Sequence, residues 1–226
     1  MSLLTPILAR ITAPLAFLTR RRTARRLFAF ALAEQESMLE LRAAAARCPS
    51  PERRALYLRH ALDEERHAAT FAAHAADIRR SLGLPSWGHP RTGCEGLYER
   101  LGEAGFLAFV HRGEERGREQ FETYRAHFER RGDAKLRALF HALIGDEKEH
   151  ERYTRALLVE HAGGEPAARR WLWKMAAWEG FRVWRRAGQT LAQLVYAASM
   201  TVLYLTLLPF ALLVRLTRPT PRGTWH

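Results

Sequence analysis

The sequence writes the pattern Asp-Glu-x-x-His twice, as Asp63-Glu64-Glu65-Arg66-His67 and as Asp146-Glu147-Lys148-Glu149-His150. On a helix, residues three apart share a face, so Glu64 projects with His67 and Glu147 with His150. Carboxylate oxygen and imidazole nitrogen together suit cations such as Fe(II) and Mn(II). Two such pairs on two helices, completed by one glutamate from each of two others, make the ligand set of a two-metal carboxylate site in a helix bundle. Four carboxylates balance the charge of two divalent ions, and a bridging carboxylate offsets the repulsion between them.

The two remaining glutamates follow from a weak internal repeat. His150 and Glu114 are 36 residues apart, and His67 and Glu34 are 33 apart. Glu34 is in helical phase with Leu27, Phe30, Met38 and Leu41, with Glu36 as the reserve candidate. Glu114 is in phase with Leu107, Phe121 and Phe128, with Glu115 as the weaker neighbour. A carboxylate on a core-facing stripe has to be paired or bound to metal, because an isolated buried charge is costly. Asp63 and Asp146 are placed to accept from the histidine of the opposite helix and so fix its tautomer. Arg66 is read as pairing with one of these aspartates. Gly117, one turn beyond Glu114, costs about 1 kcal/mol against alanine in mid-helix. Two uses stay open for it: room beside the metals for O2 or an organic substrate, or close helix packing. Tyr124 and His111 are candidates to line that space. Tyr153 is a candidate for proton or electron transfer, while His60, His74 and His141 read as surface or supporting residues.

Helical periodicity supplies the elements. Residues 23–48 carry apolar positions at helical spacing and stop at Pro49 and Pro51. Residues 52–81 form a second helix, ending near Gly83 and Pro85. The stretch LGLPSWGHPRTGCEG is longer than a turn between antiparallel neighbours needs, so it is expected to cross the bundle. Residues 95–131 form a third helical region, split near Gly102–Gly105, and 134–162 a fourth. No run reads as a strand. The expected fold is all-α, an antiparallel four-helix bundle over 23–165 with a long crossover between its second and third helices.

Apolar and basic segments flank the bundle. Residues 1–22 are apolar but broken by Pro6, Arg10 and Pro14, and are read as an interfacial segment. Residues 166–189 mix Trp171, Trp173, Trp178 and Trp184 with arginine, which suits a headgroup region. From Leu191 to Val214 there is no charge, so 190–214 is read as a membrane span followed by a basic tail, 215–226. A re-entrant hairpin near Pro209 stays open, as does a buried core helix. Positive charge is heavier before the span, which favours a cytoplasmic bundle. The net charge of +12 points to an acidic partner. With no nucleic-acid motif, the expected partner is membrane lipid. Cys48 and Cys94 form no CxxC pair and fit a reducing compartment.

The twin DExxH motifs with their upstream glutamates resemble the ferritin-like di-iron superfamily. "DEERH" is similar to the DExRH motif of bacterial multicomponent monooxygenases, and "RGEERGREQFETY" with "DEKEHERY" is similar to a rubrerythrin run. The similarity covers about residues 24–162. It implies a ferritin-like bundle in which Glu34, Glu64, His67, Glu114, Glu147 and His150 hold two iron ions, with Mn/Fe or Mn/Mn as variants. The chain departs from rubrerythrins at Gly117, where they carry a further glutamate, and it lacks rubredoxin-type cysteine pairs. An external electron donor is therefore expected. The expected function is O2 activation at the membrane to hydroxylate, desaturate or N-oxidise an organic substrate. Iron handling as a ferroxidase or peroxide scavenger is the alternative, and a non-catalytic scaffold in a biosynthetic assembly a second one. A homodimer stays open.

Overall fold

The computed structural model describes residues 4–87 and 92–217. Among them all regular structure is helical: α1 (Leu4–Ala16), α2 (Arg20–Arg47), α3 (Pro51–Ser81), α4 (Leu97–Arg130), α5 (Ala134–Ala162) and α6 (Glu165–Thr217). The chain divides into two compact units, Met1–Met175 and Ala176–His226.

In the first unit, α2–α3 and α4–α5 are hairpins with short corners. Ser50 caps α3 by accepting from the Arg53 N–H at 3.2 Å, with Pro51 at the first helical position. Gly132, at φ +71°, turns the chain before Asp133 caps α5 by accepting from the Leu136 N–H at 3.0 Å. The hairpins pack with α2 antiparallel to α4 and α3 antiparallel to α5. Arg26 reaches Tyr124 while Glu40 reaches Leu97, and His60 meets Tyr153 while Asp77 meets Lys135. The end of α3 therefore lies near the α4–α5 turn, yet α4 begins beside Glu40. The described ends of the connection both lie against α2. Trp87 packs on Phe28 at 5.4 Å, and the Cys94 thiol lies 3.9 Å from the Leu39 carbonyl. The buried Glu40 carboxylate then accepts from the N–H groups of Glu95, Gly96 and Leu97. That satisfies donors a helix start leaves unpaired, and it fixes where α4 begins. The expected break in the third helix is a kink at Gly102, with φ 68° and ψ 168°.

Within 1–22, read as an interfacial segment, α1 has two distinct faces. Its inner face is part of the core: Ala9, Ala13 and Phe17 are buried, and Phe17 packs edge-on against Tyr124 at 4.9 Å and Phe128 at 4.8 Å. The four-residue spacing of the two alanines permits close approach to α4. The outer face, with Ile7, Leu8, Ile11 and Leu15, is exposed. The first unit also runs past residue 165. Ala168 and Met175, in the first turns of α6, are buried, and a Cβ at Gly105 would lie 3.6 Å from the Trp171 ring.

In the second unit α6 continues unbroken through Pro209 to Thr217, so there is no hairpin. Its apolar stretch is exposed, which excludes a buried core helix. Among the described residues it is the one helix long and apolar enough to cross a membrane. Ser199, Thr201 and Thr206 donate to the carbonyls four residues back, at 2.8–2.9 Å, so these hydroxyls are satisfied within the helix. The basic tail, beyond Thr217, lies outside the described residues.

Candidate metal centre

Antiparallel packing of α3 on α5, and of α2 on α4, brings the inward carboxylates and imidazoles to one level of the bundle. His60, Glu64, Glu114 and His150 each offer a ligand atom within 4.8 Å of the others, and Glu34, Glu64 and His67 do the same. Glu64 belongs to both groups and so joins them. Glu147 completes the set, with its Oε1 3.5 Å from His67 Nδ1. Apart from part-buried Glu34, all these side chains are buried. Of the helix-one candidates, Glu34 turns inward and Glu36 is exposed.

The aspartates cross over between helices. Asp146 Oδ2 is 3.1 Å from His67 Nε2, and Asp63 Oδ2 is 3.2 Å from His150 Nε2. Arg66 bridges the two aspartates, at 2.9 Å to Asp63 and 3.0 Å to Asp146. Each aspartate orients a histidine so that its Nδ1 faces the carboxylates. His150 Nδ1 is 3.5 Å from Glu64 and 3.6 Å from Glu114.

Three inward atoms test whether the residues fit a metal. His67 Nδ1, His150 Nδ1 and Glu147 Oε1 are buried without a hydrogen-bond partner. Buried polar atoms are nearly always paired, so three orphans within the cluster, two of them 3.5 Å apart and the third turned toward Glu64 and Glu114, call for a further ligand. Electrostatics agree. Burial and the neighbouring carboxylates raise Glu64 and Glu147 well above the usual carboxylate range, and burial is the main cause that lifts Glu34 to about 7. Burial also works to raise Glu114, but His60 and His150 beside it hold it below the usual range. Four carboxylates this close cannot all ionise together unless cations neutralise them. Two divalent ions supply the matching charge. The donor set, nitrogen and hard oxygen without thiolate, fits Fe(II) or Mn(II), and the identity of the metal is not fixed by it.

The residues expected to line a substrate space have other roles. A Cβ at Gly117 would stand 2.8 Å from Glu147 Oε2, so the space made by this glycine is taken by the carboxylate rather than left for O2 or substrate. Tyr124 lies in the aromatic core, its hydroxyl held by Gln120 at 2.9 Å and Arg26 at 3.3 Å. His111 is held against α5, 3.1 Å from the Glu151 carbonyl. His60, read from sequence as a supporting or surface residue, is instead inside the cluster. Its signal was the stripe His60-Glu64-His67 at helical spacing. A cavity of about 650 Å³ opens elsewhere, between the α1–α2 corner and the α4–α5 turn, lined among others by Phe17, Arg20, His74 and Phe128.

No family model, curated protein or solved structure matches this chain.

Proposed function

We propose that this is a membrane-held, ferritin-like di-metal protein whose buried carboxylate–histidine centre activates O2 to oxidise an organic substrate. The observation that carries the reading is the convergence of three orphaned inward atoms in a nest of four glutamates. Glu34, Glu64, His67, Glu114, Glu147 and His150 would hold two iron ions, which when bound would supply the electrons and the open positions for O2 reduction. The chain's own residues set the conditions. Glu64 stands between the two halves of the cluster, and Glu147 lies beside His67. Asp63, Asp146 and Arg66 lock the imidazoles in one tautomer. Glu34, raised to about 7 in the metal-free site, gives up its proton when a cation binds. Hydroxylation by O2 inserts one oxygen atom and reduces the other to water, so an external reductase or ferredoxin must deliver two electrons.

Membrane attachment rests on α6 and on the outer face of α1. Ile11 and Leu15 are 65% and 61% exposed beside exposed Arg10, Arg20, Arg21 and Arg22. Apolar side chains flanked by arginine suit an anionic lipid surface on the cytoplasmic face.

A second reading, Fe(II) oxidation for iron handling, is favoured by one observation: Glu147 fills the space at Gly117 that an organic substrate would have used.

Metal analysis of the detergent-purified chain is the test. About two irons per chain are expected, falling to background in Glu147→Ala/His150→Ala. Oxygen uptake then separates the readings. Consumption with Fe(II) alone, giving Fe(III), favours iron handling; dependence on reductant and lipid extract favours the oxidase. A wild-type chain that takes up no metal after anaerobic Fe(II) loading removes both.

A further inference from the structure

His60 shares a geometry with the two histidines of the repeated motifs, although it belongs to neither motif. In all three, one ring nitrogen is held from outside the cluster and the other faces the carboxylates. For His67 and His150 the outer partners are Asp146 and Asp63. For His60 it is the Tyr153 hydroxyl, 2.5 Å from Nδ1, while Nε2 lies 2.9 Å from Glu64 Oε1 and 3.4 Å from Glu114 Oε1. The ring is buried and lies over that of His150, with centroids 3.6 Å apart, so both imidazoles address the same two carboxylates. Either tautomer of His60 satisfies its contacts. Nε2–H can donate to Glu64 while Nδ1 accepts from Tyr153. Alternatively Nδ1–H donates to the Tyr153 oxygen and Nε2 is left with its lone pair toward the cluster. The second is the state that Asp63 and Asp146 impose on the other two histidines.

From this geometry we infer that His60 is a third histidine ligand, so that the two metal positions differ: one has His60 and His150 with Glu64 and Glu114, the other His67 alone with Glu34, Glu64 and Glu147. This rests on the two-metal reading of the site. It also adds a nitrogen to the symmetrical set of four glutamates and two histidines that the motifs imply. Imidazole strengthens binding of later first-row ions relative to carboxylate, so the position with two histidines fills first. Tyr153 acts as its positioning residue.

The full chain in detergent, loaded anaerobically with Co(II), tests the assignment by proton NMR. Each cobalt-bound imidazole that keeps an N–H gives one strongly shifted resonance that disappears in D2O. Three such resonances are expected in the wild type and two in His60→Ala. His60→Gln, which keeps a hydrogen-bonding side chain next to Glu64, should also give two. Tyr153→Phe should keep three and weaken the tighter Co(II) step about tenfold or more, as loss of an orienting partner does. Two cobalt ions bound with only two exchangeable resonances in the wild type would overturn the role of His60 and leave the two-metal reading intact. No Co(II) uptake at all would overturn both.

Discussion

The stripe that α3 turns to the core changes chemistry halfway along. His60, Glu64 and His67 give way to Phe71 and Ala75 at the same helical spacing, all of them buried. On α5 the order is reversed: Leu136, Leu139, Phe140 and Leu143 precede Glu147, His150 and Thr154. Because the helices are antiparallel, the polar stretches meet at one level and the apolar ones at another. The two halves are equally buried but differently complete. The aromatic half closes on itself, with Phe30, Phe71, Phe121 and Phe140 at centroid distances of 5.2–6.2 Å. The polar half leaves three ligand-type atoms of one cluster without partners, while Arg26 Nε and His127 Nε2 are unpartnered beside the aromatic rings. Folding is therefore carried by one half, and the other is a site that the first half can support in unsatisfied form.

The largest effect expected from this division is on stability. Phe140 is fully buried and touches five aromatic rings, namely Phe17, Phe30, Phe71, Phe121 and Tyr124, besides stacking on Phe128. Phe140→Ala should cost about 3–5 kcal/mol, read by urea unfolding followed by circular dichroism. Below the transition the variant should still bind its full metal complement. Metal loss in a variant that is still folded would mean the halves are not separable.

Gly117→Ala should act on the polar half alone and in two directions. Alanine favours the helix by about 1 kcal/mol. Its Cβ, however, meets Glu147 Oε2 at 2.8 Å, and the end of that side chain has to move. The melting temperature of the chelator-treated protein should rise, while metal affinity, measured by competition with a chelator, falls about tenfold, the scale on which displaced supporting contacts act. An unchanged affinity would show that the Glu147 carboxylate is free to bind from another position.

These contrasts also mark what a sequence can disclose. Glu64 with His67 and Glu147 with His150 were legible because three-residue spacing on a helix fixes a shared face, and the crossed partners Asp63 and Asp146 follow from the same motif. His60 carried only the weaker signal of standing one turn ahead of Glu64, outside the motif, and only the fold supplies Tyr153 behind it. Glu40 looked like any helical acid. Its role as the cap of α4 depends on where a fifteen-residue connection sets the chain down, which helical periodicity does not encode. Ala9, Ala13 and Phe17 did form a buried stripe, but Pro6 before it and Arg10 and Pro14 within it disguised it.

A third contrast is in protons. In the polar half burial lifts Glu34 to about 7, and burial with the neighbouring carboxylates raises Glu64 and Glu147 well above the usual carboxylate range, so at pH 6 Glu34 holds a proton that a cation must displace. At pH 8 Glu34 is mostly ionised already. Burial lowers His150 but Glu114 and Asp63 outweigh it and raise it, so metal binding should release at least about one proton more at pH 6 than at pH 8, and apparent affinity should rise with pH across that interval. Titration calorimetry in two buffers of different ionisation enthalpy counts those protons. An equal count at both pH values would rule out the proton on Glu34.

The smallest effect concerns the two faces of α1. The inner face holds Phe17 against Tyr124 and Phe128, whereas the outer face is exposed. Ile11→Gln with Leu15→Gln should change stability by no more than about 0.5 kcal/mol, as exposed substitutions do. What should change is contact with lipid. A fluorophore at Arg10→Cys, in a chain also carrying Cys94→Ser and reconstituted in nanodiscs, should be quenched by brominated acyl chains. Quenching should be stronger with anionic than with zwitterionic lipid, and weaker once Ile11 and Leu15 are polar. A label reached by iodide from water and untouched by bromolipid would leave α6 as the sole attachment and return α1 to a purely structural role. The comparison matters because the inner face of α1 packs on the aromatic half of the bundle, through Phe17 with Tyr124 and Phe128, so a lipid-bound outer face would tether the bundle through the half that carries folding and leave the metal-binding half free of the anchor.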